Sequence, residues 1–115
     1  MSTLVDSSEK TLLWLSKLRE IVKEQNLSLI YKEVKYWASF KSAETNRNIV
    51  FMHPTKNQIR LFTKIDYNDN NLLEPTPATQ KWAESYPSIF TIRNEDMIIS
   101  ASKLIIESYS IDLSI

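Results

Sequence analysis

Six residues of this chain combine cationic and aromatic side chains at alternating positions: Lys35, Trp37 and Lys41 in one segment, and Arg60, Phe62 and Lys64 in another. Side chains two residues apart lie on the same side of a β-strand. Lys35, Trp37, Ser39 and Lys41 therefore share one side of a predicted strand, and Arg60, Phe62 and Lys64 share one side of a second. If these strands are neighbours, cations interleave with rings, which is how sheets that bind single strands stack bases and meet phosphates. The competing reading is packing. Large aromatics are highly buried on average, so Trp37 and Phe62 are expected under a helix, with the long Lys and Arg stems snorkelling around them.

Glu33, Val34 and Lys35 form an E-x-K, the second half of a metal-dependent nuclease signature in which paired carboxylates hold Mg²⁺ and the Lys polarises the attacking water. The first half is missing. No Asp lies between Glu24 and Glu33, so a second carboxylate could come only from Glu20 or Glu24 on the preceding predicted helix. In half-buried strands an E-x-K is more commonly a cross-strand ion pair. His53 is the sole histidine and reads as a surface or hydrogen-bonding residue. Asp66, Asp69, Asn70 and Asn71 lack the spacing, the glycine and the bidentate Glu of an EF-hand, and read as a solvated loop.

The residue types that are missing exclude more. The 115 residues include no glycine and no cysteine. Phosphate-cradling loops and nucleophile elbows need glycine where a Cβ would clash. Thiolate chemistry, Cys-ligated zinc and iron–sulfur clusters need cysteine, and one His cannot complete a three-ligand site. No cofactor, no catalytic residue and no metal ligand set is therefore assigned. Without cysteine the chain is compatible with a reducing cytoplasm, which is the expected location. Residues 1 to 10 have no apolar core of the signal-peptide kind, and no run approaches the roughly 20 apolar residues a membrane helix needs.

The elements that must position these side chains follow from periodicity. Leu12, Leu15, Leu18, Ile21 and Val22 recur at helical spacing, flanked by Trp14. Asp6 and Glu9 are spaced as an N-cap and its third-position partner, Ser7 and Ser8 are alternative caps, and Asn26 stands where a left-handed residue ends such a helix. From Leu29 to Ile65 the period is two, with strands at Lys35–Lys41, Ile49–Met52 and Gln58–Ile65 in an antiparallel meander. The His53–Asn57 segment is a hairpin connection in which Asn57 tolerates the left-handed region. A polar stretch from Asp66 to Ser88 follows, pinned by Trp82 and Tyr86. Ile89–Arg93 is a further strand, Asn94 caps a last helix, and the alternation of Ile111, Leu113 and Ile115 suggests a short edge strand.

Net charge is zero but unevenly placed. Residues 31 to 64 hold seven Lys and Arg against two Glu, a net +5, and residues 65 to 115 hold three against eight acids, a net −5. Segregated, these segments would meet an anionic partner; interleaved, they would neutralise each other. The sequence pI of 6.6 favours the second outcome.

The run Leu18, Arg19, Glu20, then Lys35, Tyr36, Asn48, Ile49, the His53–Lys56 turn, Ile59, Arg60, Leu61, and finally Glu95, Asp96 and Leu104 to Tyr109 resembles an uncharacterised family of small bacterial and archaeal domains described as predicted transport proteins. The resemblance covers about residues 10 to 110. It implies a compact α+β fold and an accessory role, with no catalytic residues. The chain departs from it at Trp82–Ser88, which lacks the glycine-containing turn of that family. More remotely, helices on an antiparallel sheet are similar to double-wing DNA-binding domains.

The expected protein is a single α+β domain over residues 1 to 115, with an antiparallel sheet of four to five strands packed with an N-terminal and a C-terminal helix. Its expected function is non-enzymatic: a binding or accessory module contacting protein or nucleic acid through Lys35, Trp37, Lys41, Arg60, Phe62 and Lys64. The alternative is a degenerate nuclease-like enzyme using Glu33 and Lys35. A homodimer through edge strands or helices is a third expectation.

Overall fold

Ser8 starts the first helix. Its hydroxyl accepts from the Thr11 amide at 3.3 Å, and the Thr11 hydroxyl accepts from the Ser8 amide at 3.0 Å. This is a capping box with Thr in place of the usual Glu or Gln. The cap is thus Ser8 and not Asp6, which instead faces His53. The Ser8 hydroxyl also donates to the Lys56 carbonyl at 2.7 Å, tying the helix start to the Thr55–Gln58 turn. Ser8→Ala should therefore cost about 1 kcal/mol, within the 0.5–2 range of lost caps, as a shift of the urea midpoint with unchanged slope.

The computed structural model describes residues 4–115; residues 1–3, part of the amino-terminal stretch considered above, lie outside the described residues. Helix α1 spans Glu9–Lys23 and buries Thr11, Trp14, Leu15, Leu18 and Val22. Asn26, with φ of 55°, ends it in the left-handed region without the help of glycine. Strands β1 (Leu29–Glu33), β2 (Ala38–Ser42), β3 (Asn48–Pro54) and β4 (Ile59–Thr63) then form the expected meander. Two-residue β5 (Glu74–Pro75) and β6 (Ser88–Ile92) complete an antiparallel sheet in the order β1-β2-β3-β4-β6-β5. The sheet has six strands, against the four to five expected; β5 lies in the proline-bearing polar stretch, where no alternation announces it.

Helix α2 spans Ile98–Leu113, preceded by a short turn of 3₁₀ helix at Glu95–Met97. Two expectations are corrected here. Asn94 stands at the start of that 3₁₀ turn, not of α2, and makes no side-chain capping bond. The tail is no strand: α2 continues through Leu113, since Ser108, Tyr109 and Asp112 extend its buried side by helical steps.

One core joins both helices to one sheet face, where Ala38, Phe40, Val50, Met52, Leu61, Phe90 and Ile92 meet Leu15, Leu18, Leu104 and Ile105. A bulge decides what the other face carries. Phe40 pairs with Val50 but Lys41 pairs with Asn48, leaving Ile49 as the extra residue. Ile49 thereby turns into the core at 0% exposure, and Asn48 takes the place beside Lys41 that an apolar side chain would have held. The preceding turn contains Asn46 at φ of 60°; this, and not Asn57, is the second left-handed residue among the described residues.

Candidate functional site

The sheet face turned away from the helices is read from the strand register. Lys32, Ser39, Phe51, Phe62 and Ile89 lie side by side across five strands. In the next line His53, Arg60 and Thr91 follow one another, with Trp37 joined to β1 by its carbonyl, which accepts from the Val34 amide at 2.8 Å. On the β3–β4–β6 side this face is covered. Trp82 stands edge-on to Phe51 and Phe62, both at 5.7 Å, and Tyr86 edge-on to Phe51 at 4.7 Å. Phe51 and Phe62 stack at 4.8 Å with planes 9° apart. Trp82 and Tyr86 do pin the irregular segment, and the Tyr86 hydroxyl fixes the cover by donating to the Asn48 carbonyl at 2.7 Å. Burial and then the Asp112 charge push the Tyr86 phenol above its ordinary value, so it remains a donor.

On the β1–β2 side the face is open. A concavity of about 490 Å³ is lined there by Lys32, Lys41, Trp37, Phe51, Trp82 and the side chains of Ser39, Asn46 and Asn48. That volume lies in the range of small-ligand sites. No Asp or Glu lines it. Neither Lys32 nor Lys41 has a salt-bridge partner among the described residues. Two free ammonium groups, half-exposed rings and amide donors together suit an anion that carries a flat, stackable group. The indole Nε1 of Trp82 is buried without a hydrogen-bond partner among the described residues, and rings at 75–90° to it surround the indole.

The six residues singled out in the sequence separate in space. Trp37 and Lys41 belong to the open concavity. Phe62 lies on the same sheet face but is only 3% exposed, under Trp82 and not under a helix. Arg60 is exposed and lies beyond the two tryptophans, beside a smaller hollow. Lys64 is withdrawn from the face: its ammonium is 3.5 Å from Asp112 and 5.1 Å from the Tyr86 ring centroid. Lys35 falls in the β1–β2 turn, since β2 begins only at Ala38, and its ammonium sits over Tyr36. Lys32, Asn46, Asn48, Phe51 and Trp82 were not singled out. For Lys32 the signal existed in the alternation of Ile30, Lys32 and Val34 against Leu29, Tyr31 and Glu33.

Part of the basic middle segment is indeed neutralised by the acidic end. Asp112, fully buried, accepts from Thr45 Oγ1 and from Arg47 Nε at 2.9 Å, while the Arg47 guanidinium also donates to the Asp112 carbonyl at 3.0 Å. Burial alone would raise this carboxyl; hydrogen bonds from Thr45 and Arg47, with the charges of Arg47 and Lys64, outweigh it and hold the group below the ordinary value. Elsewhere Lys17 of the first helix pairs with Glu95, and the Tyr109 hydroxyl donates to Glu44. Of the basic middle segment, Lys32 and Lys41, which line the open concavity, take no part in these ion pairs.

Glu33, the acid of the E-x-K, ends β1 and accepts from the Tyr31 hydroxyl at 2.6 Å. Burial, followed by that bond and the Glu33 charge, pushes the Tyr31 phenol well above the ordinary tyrosine range. The Arg19 guanidinium lies 3.9 Å over the Tyr31 ring. Among the described residues no three or more His, Asp and Glu side chains converge as metal ligands would. His53 meets Asp6 at 3.0 Å and lies 4.9 Å from the Trp37 ring. No helix of the described residues is long and apolar enough to cross a membrane. No match to a protein family, to a curated protein or to a solved structure was found for this chain.

Proposed function

We propose that the protein is a non-enzymatic binding module that holds single-stranded nucleic acid on the open part of its sheet. The observation that carries this reading is the pair Lys32 and Lys41, free of carboxylate partners, beside the half-exposed rings of Trp37 and Phe51. A base stacks on Trp37, the ammonium groups meet phosphates, and Asn46 and Asn48 are placed to contact a base edge or sugar. A peptide partner would need acidic residues for the lysines and offers no flat group at each step, so the ring-and-cation alternation favours nucleic acid.

The test is a titration of fluorescein-labelled oligothymidylate and oligouridylate, eight nucleotides long, followed by anisotropy at several salt concentrations. Lys32→Ala and Lys41→Ala should each weaken binding to both probes and lower the log–log salt slope by about 0.7, the value expected for one phosphate contact on a single strand. Trp37→Ala should cost about 1–3 kcal/mol of binding free energy for the lost stacking. Absence of binding by the intact protein to either probe at low salt would overturn the reading and leave a protein partner for this face.

A further inference from the structure

Resting on that reading, we infer that the bound strand continues past the two tryptophans into a second subsite at Arg60, so that the ligand is an oligonucleotide and not a mononucleotide. Trp37 and Trp82, 5.7 Å apart and at 75°, line both the open concavity and a second hollow of about 170 Å³. They form a common wall. Beyond it Arg60, His53, Gln80 and Pro77 surround the second hollow, whose lining also contains no Asp or Glu. Arg60 is exposed and, among the described residues, has no salt-bridge partner; His53 is held by Asp6.

Spacing across the sheet decides what can use both cavities. Lys32 is on β1 and Arg60 on β4, three interstrand steps apart. At ~4.8 Å per step this separation is about 14 Å or more. Arg60 does not line the first hollow and neither lysine lines the second, so a phosphate seated in one meets only that hollow's own cation. A ligand that satisfies both carries at least two phosphates joined by a linker lying across Trp37.

The second hollow suits backbone better than a base: Phe62 in its lining is only 3% exposed, and Arg60 supplies a guanidinium that matches phosphate geometry. It takes backbone. The first subsite therefore holds a base and its phosphate, and the second holds the next phosphates of the same strand, which runs across the β-strands from β1 toward β4.

Two probes separate this proposal from the reading beneath it: fluorescein-labelled dT8, and thymidine 5′-monophosphate as its competitor. With dT8, Arg60→Ala should lower the salt slope by about 0.7 and weaken binding, while Arg60→Lys, which keeps the charge, should retain the slope. The inhibition constant of thymidine 5′-monophosphate should be the same for wild type and Arg60→Ala, whereas Lys41→Ala should raise it. An unchanged dT8 slope in Arg60→Ala beside a lowered slope in Lys41→Ala would overturn the second subsite and leave the first. Equal weakening of dT8 and the monophosphate by Arg60→Ala would also overturn it, because Arg60 would then belong to the first cavity. No effect of either substitution would overturn both readings together. Urea midpoints matching wild type certify that these exposed-site variants are folded.

Discussion

Phe62→Ala is expected to destabilise the protein by about 3–5 kcal/mol, the usual cost of deleting a buried Phe ring. Phe62 belongs to no part of the helix-side core, yet it is 3% exposed, stacked on Phe51 and met edge-on by Trp37 and Trp82. Its removal opens a cavity between the sheet and the covering segment, and the pairwise ring contacts, each worth about 0.5–1.5 kcal/mol beyond area, are lost with it. Urea denaturation followed by circular dichroism checks this. A loss below about 1 kcal/mol, accompanied by lost oligonucleotide binding, would instead make Phe62 a stacking platform, contrary to its burial.

Asp112→Ala should cost about 3 kcal/mol, the lower end for breaking a buried ion pair, because half-exposed Arg47 can turn to water while Lys64 is left under-compensated. The pH dependence has a definite sign. Asp112 is held below the ordinary 3.8 in the folded chain, so its contribution is fully present above that value and is lost as pH falls from about 4 through the folded value. Asp112→Asn, which keeps the shape and cannot titrate, should show a shallower acid limb than wild type at the same ionic strength. Because the other carboxylates are common to both proteins, the difference between the two curves isolates Asp112. Identical acid limbs would refute the assignment.

Much of the architecture is legible in residue spacing, and the failures have physical causes. The apolar stripe of α1 and the left-handed Asn26 are local signals, each set by a few neighbouring residues, and both are found in the structure. The covering role of Trp82 and Tyr86 is equally legible, because large rings in a polar stretch need a surface to pack on. Two-residue alternation is weaker evidence. It says which side chains share a side of one strand, but not which side meets the helices or where a strand begins. Lys35 and Tyr36 continue the alternation of β2 and still fall in a turn, so Lys35 was drawn into the candidate face. In the tail, Ile111, Leu113 and Ile115 alternate over too few residues to tell a strand from a helix. There the deciding residues are the polar ones, Ser108 and Asp112, whose burial depends on Ile49, Thr45 and Arg47, far away in sequence. Asn48 reached the candidate site only through the bulge in β3, a defect of pairing that no periodicity encodes.

The three tryptophans are divided by the sheet. Trp14 sits 7% exposed in the helix-side core with the Lys10 ammonium over its ring, whereas Trp37 and Trp82 meet edge-on in the wall of the candidate site. Intrinsic emission is therefore a sum of two reporters with separate duties: one indole senses unfolding, and a neighbouring pair senses whatever enters the open face. A Trp14→Phe variant would leave the pair alone, so that quenching by an unlabelled strand could be followed with no chemical tag on either partner.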